Sequence, residues 1–476
     1  MRQVRAAIRE ERGIWLCGLA LAAAIGGLPF AALAVLAPAL AALAALLSPA
    51  TGVALVVLSV PAQQLVVLPG GLSFTQAAVL LTIGGWGLRR LAFPEESIRT
   101  SRLFPFWCAL LGALLLSAAF TPYARGEALR ELLRWCIAAS VALIAADCVR
   151  SPRQLAMLAA CLIIAPTECA AIGLGQFVSG DGPPTFRIDP QLPFVRAYGT
   201  IGQPNSFAGY LNMAWPLALA LSVAMTAAVR QKRERVARPL VVLAAVALWI
   251  CTAVLLGGLA ASFSRGAWLG AAAGVFGMAL ALGRRSALAA LGGAGGLIAL
   301  LALGGAGILP DAVAARLASI TRSLSIFDAA TVAVTPENFA VVERMAQLQA
   351  GWRMLLSSPL LGIGPGNYSV AYPTFAVGEW YISRGHAHNF YLHIAAEAGV
   401  VGLAAYLALV GAAVALCIRG LRRAQGVIAR GVVAGCCGMI AAVAAHQLFE
   451  NLHVLNMTIQ YATVLALAEA TTDSSS

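Results

Sequence analysis

Thirteen long, nearly uncharged apolar runs follow one another along this chain. A helix that crosses a bilayer needs ~20 apolar residues at ~1.5 Å rise each, and the sequence meets that demand again and again. The runs lie near residues 14–47 (one long helix or two short ones around Gly26, Gly27 and Pro29), 51–67, 72–89, 103–120, 128–148, 153–178, 204–228, 239–263, 265–283, 286–308, 389–418, 431–449 and 451–470. Apolarity is continuous within each run instead of alternating, which excludes a membrane β-barrel. Of the 476 residues, 60% are hydrophobic and 11% charged, against ~45–50% and ~25% in soluble domains. A secreted enzyme, a cytosolic oxidoreductase and a sequence-specific DNA binder are thereby excluded. The expected fold is an all-α polytopic membrane protein with 12–14 transmembrane helices.

The net charge of +12 does not point to nucleic acid, because of where it sits. Basic residues cluster in short gaps between apolar runs: Arg2, Arg5, Arg9 and Arg12; Arg89 and Arg90; Arg230, Lys232, Arg233, Arg235 and Arg238; Arg284 and Arg285; Arg419, Arg422 and Arg423. Short basic loops of this kind stay in the cytoplasm. With both termini inside, every strongly basic loop falls on the cytoplasmic side. Residues 121–127, 179–203, the turn at Ser264 and the segment 309–388 then fall in the periplasm. The N-terminal run reads as a retained span, since no small-residue cleavage site follows its charged start. The ten cysteines have no zinc-type spacing and read as packing residues.

This map divides the chain into a bundle over 1–308, a periplasmic segment over 309–388 and C-terminal helices over 389–476. The middle segment is far longer than an ordinary connection, which marks it as functional. Val341, Met345, Leu348, Trp352 and Leu355 recur at helical spacing on one face, with Thr335 and Pro336 as cap and first-turn residue. The expectation is an amphipathic helix packed on the mouth of the bundle, able to act as a lid over a lipid-borne substrate. Gly362, Gly364 and Gly366 are no nucleotide loop: Pro365 removes a donor and no Lys-Ser/Thr pair follows. Gly266 and Gly270 suggest close helix packing.

All five histidines, His386, His388, His393, His446 and His453, fall in the last fifth of the chain. His386 and His388 sit at the periplasmic entrance of the 389–418 run. Three readings stand: interface residues, metal ligands together with Glu397, or a general base for a hydroxyl, which suits an imidazole of ordinary pKa ~6.5. His446, Glu450 and His453 read first as a polar helix-packing cluster. Arg196 and Arg265 lie outside, against the positive-inside trend. They either snorkel to headgroups or bind an anion, for which the guanidinium fork suits phosphate oxygens.

His388-Asn389, nine residues, then Gly399-Val400-Val401-Gly402 resembles the signature of the O-antigen ligase/polymerase superfamily. The resemblance extends to Arg196 through Gly202-Gln203-Pro204-Asn205, to Ser264-Arg265-Gly266, and from Arg344 and Trp352 to Pro359-Leu360-Leu361-Gly362-Ile363-Gly364. It implies a periplasm-facing glycosyltransferase of the inner membrane. The implied donor is undecaprenyl-pyrophosphate-linked O-antigen and the acceptor lipid A–core, with membrane lipids around it and no nucleic acid partner. The ligase branch is the nearest likeness; polymerases and protein O-oligosaccharyltransferases share the signature. The resemblance marks His388, Arg265 and Arg196 as catalytic. It marks His386, Asn389, Arg344, Arg384, Gln203 and Asn205 as substrate-binding. No Asp-x-Asp or Glu-x-Asp metal motif is present, so arginines are expected to replace a metal, with no cofactor and with inversion at the anomeric carbon. A transporter is the rival class; it would place broken helices and charges at the bilayer midplane.

Overall fold

The computed structural model describes residues 43–63, 73–188, 192–231, 238–303, 327–335 and 338–473. The first apolar run up to residue 42, the N-terminal arginines, Cys17, Lys232, Arg233, Arg235, residues 309–326 and Pro336 lie outside them. The described chain is all-α, with only isolated bridges such as Arg187 to Val195. Its helices are α1 (Pro49–Ser59), α2 (Phe74–Ala92), α3 (Phe104–Phe120), α4 (Arg125–Cys148), α5 (Pro152–Ser179), α6 (Pro204–Asn212), α7 (Trp215–Gln231), α8 (Arg238–Ala261), α9 (Arg265–Leu282), α10 (Arg284–Leu303), α11 (Phe339–Ser357), α12 (Tyr368–Phe375), α13 (Phe390–Arg423), α14 (Val427–His446) and α15 (Met457–Asp473). Local signals set several starts. Ser73 with Gln76 and Ser151 with Gln154 form reciprocal capping boxes, and Pro49, Pro152 and Pro204 open their helices.

Among the described residues, six helices are long and apolar enough to cross a membrane: α5, α6 with α7, α8, α9, α13 and α14. The chain is a multi-pass membrane protein. The sequence expects 12–14 spans; the first of its apolar runs lies largely outside the described residues, and several others form helices that are short or carry charge. α1 and α3 are apolar but short. α4 carries Arg125, Glu127, Arg130, Glu131 and Arg134 in its first turns, with Glu127–Arg130 and Glu131–Arg134 ion pairs. Arg89 and Arg90 at the end of α2 and Arg150 after α4 line one cavity with Gln154 of α5, and Gln425 after α13 lines another with Pro152 at the start of α5, so these basic connections share one face. The Ser264 turn, residues 358–389 and residues 447–456 gather at the other.

Close approach of backbones holds the bundle together, as small residues allow in lipid. A Cβ on Gly270 of α9 would lie 2.7 Å from the Ala442 carbonyl of α14, and one on Gly435 would lie 2.7 Å from Leu217 Cα of α7. Pro166 inside α5 cannot donate to the Leu162 carbonyl; Gln460 Nε2 of α15 does so instead, at 2.9 Å.

α13 is broken. Gly399 has φ 66° and ψ −172°, which interrupts the helical hydrogen bonds. The loop after α11 fills the gap like a strand: Ile363 N donates to Ala396 O, Gly364 N to Glu397 O and Val400 N to Pro359 O, at 3.0, 2.8 and 2.8 Å. Glu397 then accepts the Gly366 and Tyr368 backbone N–H groups at 2.8 and 2.9 Å. The glycines of both motifs are thus one joint, since a Cβ on Gly362 would lie 2.3 Å from Glu397 C and one on Gly399 2.0 Å from Leu360 O. From Gly399 to Arg419 the helix rises ~30 Å, about one hydrocarbon thickness. The break therefore sits at the membrane boundary, covered by protein.

The amphipathic helix is present as α11, but its buried stripe is rotated from the expected one. Val342, Met345, Ala346, Ala350 and Met354 face inward, while Trp352 is 53% exposed. Small residues allow the closest approach here: a Cβ on Gly351 would lie 3.1 Å from Ala387 Cβ. The large apolar side chains Trp352 and Leu356 instead face outward. Thr335 does not cap α11 directly; it exchanges hydrogen bonds with Asn338, the residue before the helix.

The joint predicts a sharp contrast between two glycines of α13. Gly399→Ala adds left-handed strain of ~1–2 kcal/mol and a clash, and should lower the melting temperature of detergent-purified protein clearly. At Gly411 a Cβ meets nothing within 4 Å, so Gly411→Ala should leave it unchanged or slightly raised.

Candidate functional site

Three helices begin beside one another at the face opposite the basic loops. Asn205 is the second residue of α6, Arg265 the first of α9, and Asn389 caps α13 by accepting from Leu392 N at 3.0 Å. Helix N-termini present free N–H groups and a partial positive charge, a setting that favours anions.

The carboxylate that sits among them is Glu450, 4% exposed, in the connection after α14. His386 Nε2 donates to Glu450 Oε1 at 2.8 Å, and Asn205 Nδ2 to Glu450 Oε2 at 2.9 Å. The Asn205 carbonyl oxygen accepts from Arg196 Nη2 at 2.9 Å, while Arg196 Nε donates to Ser262 O at 2.8 Å. One buried carboxylate thereby ties together α6, the α8–α9 turn, the approach to α13 and the end of α14. A cleft of about 20 Å³ adjoins it, lined by Asn205, Ser264, Arg265, Gly266, Arg344, His446, Phe449 and Glu450. That volume holds about one water, so a larger anion enters only when the Arg265 and Arg344 side chains part. Arg344 comes from α11, which makes the amphipathic helix a wall of the site.

The two histidines of the Ser-Arg-Gly-His-Ala-His stretch have different freedom. His386 uses both ring nitrogens: Nε2 on Glu450, and Nδ1 accepting the His388 backbone N–H at 3.1 Å. His388 has φ 52°, a conformation that costs a residue other than glycine on the order of 1 kcal/mol. Its Nδ1 is buried without a hydrogen bond, 3.7 Å from Glu450 Oε1. The carboxylate favours the tautomer with the proton on Nδ1, which leaves Nε2 as proton acceptor. Burial pushes the His388 imidazole below its ordinary value and Glu450 pulls it partway back, so the ring is neutral at pH 7. Burial alone would raise the Glu450 carboxyl, but the facing His386 and His388 hold it well below the usual carboxylate range.

The alternative metal set of His386, His388 and Glu397 is not assembled. Glu397 lies at the α13 joint, 3.6 Å from His393. Glu450 takes its place: among the described residues, ligand atoms of His386, His388 and Glu450 lie within 4.8 Å of one another. Two imidazoles and a carboxylate suit zinc by type. The hydrogen bonds oppose it, because a His386 that accepts at Nδ1 must carry its proton on Nε2, the atom a metal would need.

Other expected residues divide cleanly. His386, His388, Arg196, Arg265, Arg344 and Asn205 come together, and Asn389 orients the helix start. Arg384 does not join them; it pairs with Glu343 at 2.7 Å and is 52% exposed. The Gln203 side chain is exposed, and its backbone carbonyl receives Phe207 N. His446 lines the cleft and contacts Asn212 at 3.4 Å, while His453 bonds Tyr406 at 3.0 Å and lies 4.9 Å from the Trp135 ring. Glu450 was grouped with them and is instead the centre of the site. The only sequence signal for it was an acidic residue next to an expected outside turn.

Residues 250–407, about a third of the chain, match the family model described as O-Antigen ligase. The match runs from α8 through α9 and α11 to the joint in α13. No curated protein matches the chain.

Removing the central carboxylate should therefore loosen several elements at once. Glu450→Ala leaves the half-buried His386 and Asn205 donors without their acceptor, at ~1–2 kcal/mol each. Glu450→Gln keeps an acceptor for one of them, so its melting temperature should lie between wild type and Glu450→Ala. Equal melting for all three proteins would mean that Glu450 bears no structural load.

Proposed function

We propose, for a chain that belongs to the O-antigen ligase/polymerase superfamily, that it moves O-antigen polysaccharide from undecaprenyl pyrophosphate to a sugar hydroxyl of lipid A–core. The site faces the periplasm, since the basic loops on the opposite face belong to the cytoplasm. The observation that carries the reading is the meeting of three guanidinium groups, a neutral histidine and three helix N-termini around one buried carboxylate. Among the described residues Arg196, Arg265 and Arg344 are gathered near one glutamate, and guanidinium groups suit pyrophosphate oxygens.

His388 Nε2 takes the proton of the acceptor hydroxyl as its oxygen attacks the anomeric carbon. The bond from that carbon to the pyrophosphate oxygen breaks on the opposite side, so the configuration inverts. Charge grows on the departing oxygen, and Arg265, Arg344 and the α9 N-terminus stabilise it more than in the ground state. His388 then passes its proton to water. Arg196 was expected to clamp the leaving group itself; its bonds to Ser262 and Asn205 give it the role of positioning Asn205 and Glu450 while adding positive charge. His386, saturated at both nitrogens, positions the His388 backbone. Nothing in this scheme calls for a metal, since fixed guanidinium groups supply the electrostatics.

The reading favours an enzyme over a transporter for a specific reason. The broken helix lies at the membrane boundary and is filled by protein, whereas transporter sites lie near the midplane.

The test is to incubate purified protein with undecaprenyl-pyrophosphate glycan and lipid A–core in detergent with EDTA. Glycan joined to lipid A–core is expected. Glycan lengthened on its carrier would assign a polymerase, and no reaction until Mg²⁺ or Mn²⁺ is restored would refute the arginine account. In the same assay His388→Ala should lose ~10²–10⁴ in rate and Arg265→Ala ~10²–10³. Arg265→Lys should remain impaired because the planar fork is lost. His386→Ala should lose less than His388→Ala.

A further inference from the structure

Far from the site, at the face that carries the basic loops, a cavity of about 970 Å³ opens between helices. It is lined by Pro152 and Ile163 of α5, Met225 of α7, Ala247 of α8 and Val432 of α14, among others. Its polar lining side chains are Gln425, in the α13–α14 connection, and Thr471, in the last turns of α15. Pro152, Ala156, Ala160, Ala247 and Ile428 of the lining are exposed, so the cavity opens at the molecule's surface, and inside a membrane the available filler is hydrocarbon.

Depth and charge select which hydrocarbon. From Pro152, at the start of α5, to Ile164 the lining spans twelve residues of helix, a rise of ~18 Å. The whole hydrocarbon core measures ~30 Å, so the cavity is one leaflet deep and begins at the basic face. Arginines flank the lining at that end: Arg153 follows Pro152, Arg430 follows Ala429, and Arg422 and Arg423 precede Gln425. Arg422, Arg423 and Arg430 are exposed. Basic residues at the mouth of a cavity between membrane helices suit a phosphate headgroup.

We propose that this cavity binds an anionic glycerophospholipid of the leaflet on the basic-loop face, with acyl chain in the cavity and phosphate at the flanking arginines. A polyprenyl donor fits less well, because its pyrophosphate would sit at the opposite face. Bound lipid would touch α5, α7, α8, α14 and α15 at once. The site so defined is independent of glycosyl transfer.

The experiment uses full-length protein in detergent, stripped of lipid and then given phosphatidylglycerol, phosphatidylcholine or undecaprenyl phosphate. Melting temperature and retained lipid, by native mass spectrometry, are read together. Phosphatidylglycerol should raise the melting temperature by at least about 3 °C and stay bound, with phosphatidylcholine clearly weaker. Ala160→Phe and, separately, Ala247→Leu narrow the cavity and should reduce the rise. Arg430→Gln should lower phosphatidylglycerol retention by roughly five-fold and leave phosphatidylcholine retention unchanged. Equal effects of the two phospholipids would overturn the headgroup assignment. A rise undiminished in both narrowed variants would overturn the cavity as the site, and displacement of phosphatidylglycerol by undecaprenyl phosphate would assign it to the donor's tail.

Discussion

A buried carboxylate with two hydrogen-bonded partners holds this site together. Glu450 lies where α6, α9 and α13 begin and where α14 ends, and each of its oxygens receives a proton donor from a different part of the chain. Stranding such a charge in a protein interior is costly unless it is paired. Here the pairing does further work. His386 is fixed at one nitrogen by Glu450 and at the other by the His388 backbone, so the neighbouring ring is the one left free to exchange a proton. Arg196, through Asn205, is held by the same network. The chemistry proposed for His388 is thus a consequence of what Glu450 occupies.

A second constraint explains the glycine motifs. The Gly-Val-Val-Gly element and the Pro-Leu-Leu-Gly-Ile-Gly run are two halves of one joint, in which a loop supplies the hydrogen bonds that a broken helix lacks. Irregular backbone near hydrocarbon is tolerated only where protein satisfies it. The joint also fixes α11 relative to α13, and through α11 it fixes Arg344 at the cleft. Motif residues far apart in the sequence are therefore a scaffold for the site, while the groups that meet substrate come from histidine and arginine positions around it.

The sequence made some of this plain and hid the rest for definable reasons. Helical class and the sidedness of the basic loops follow from hydropathy and charge, which are local properties. That Arg265 and His388 lie on one side was legible from the charge map as well as from motif resemblance; that both approach Glu450 was not, because α9 and α13 are separated by more than a hundred residues. Glu450 was not legible as the centre, since a lone glutamate beside a histidine at helical spacing reads equally well as packing. The inward face of α11 was misjudged because large apolar side chains face outward here and small ones make the close contacts. Arg384 sits in the histidine stretch but turns to Glu343 on α11, a choice made by tertiary contact.

The dependence of His388 on Glu450 is the central claim, and the pH profile of kcat/KM tests it most directly. Neutral His388 is the active form, so activity falls as pH drops through its pKa. Burial lowers that pKa and Glu450 raises it in part, which places the acidic limb below ~6.5, the ordinary value for histidine. Replacing the charge in Glu450→Gln removes the raising influence. The limb should then move to still lower pH, and the plateau should fall as the base weakens. A limb at or above the ordinary histidine value, or one that does not move in Glu450→Gln, would contradict the account.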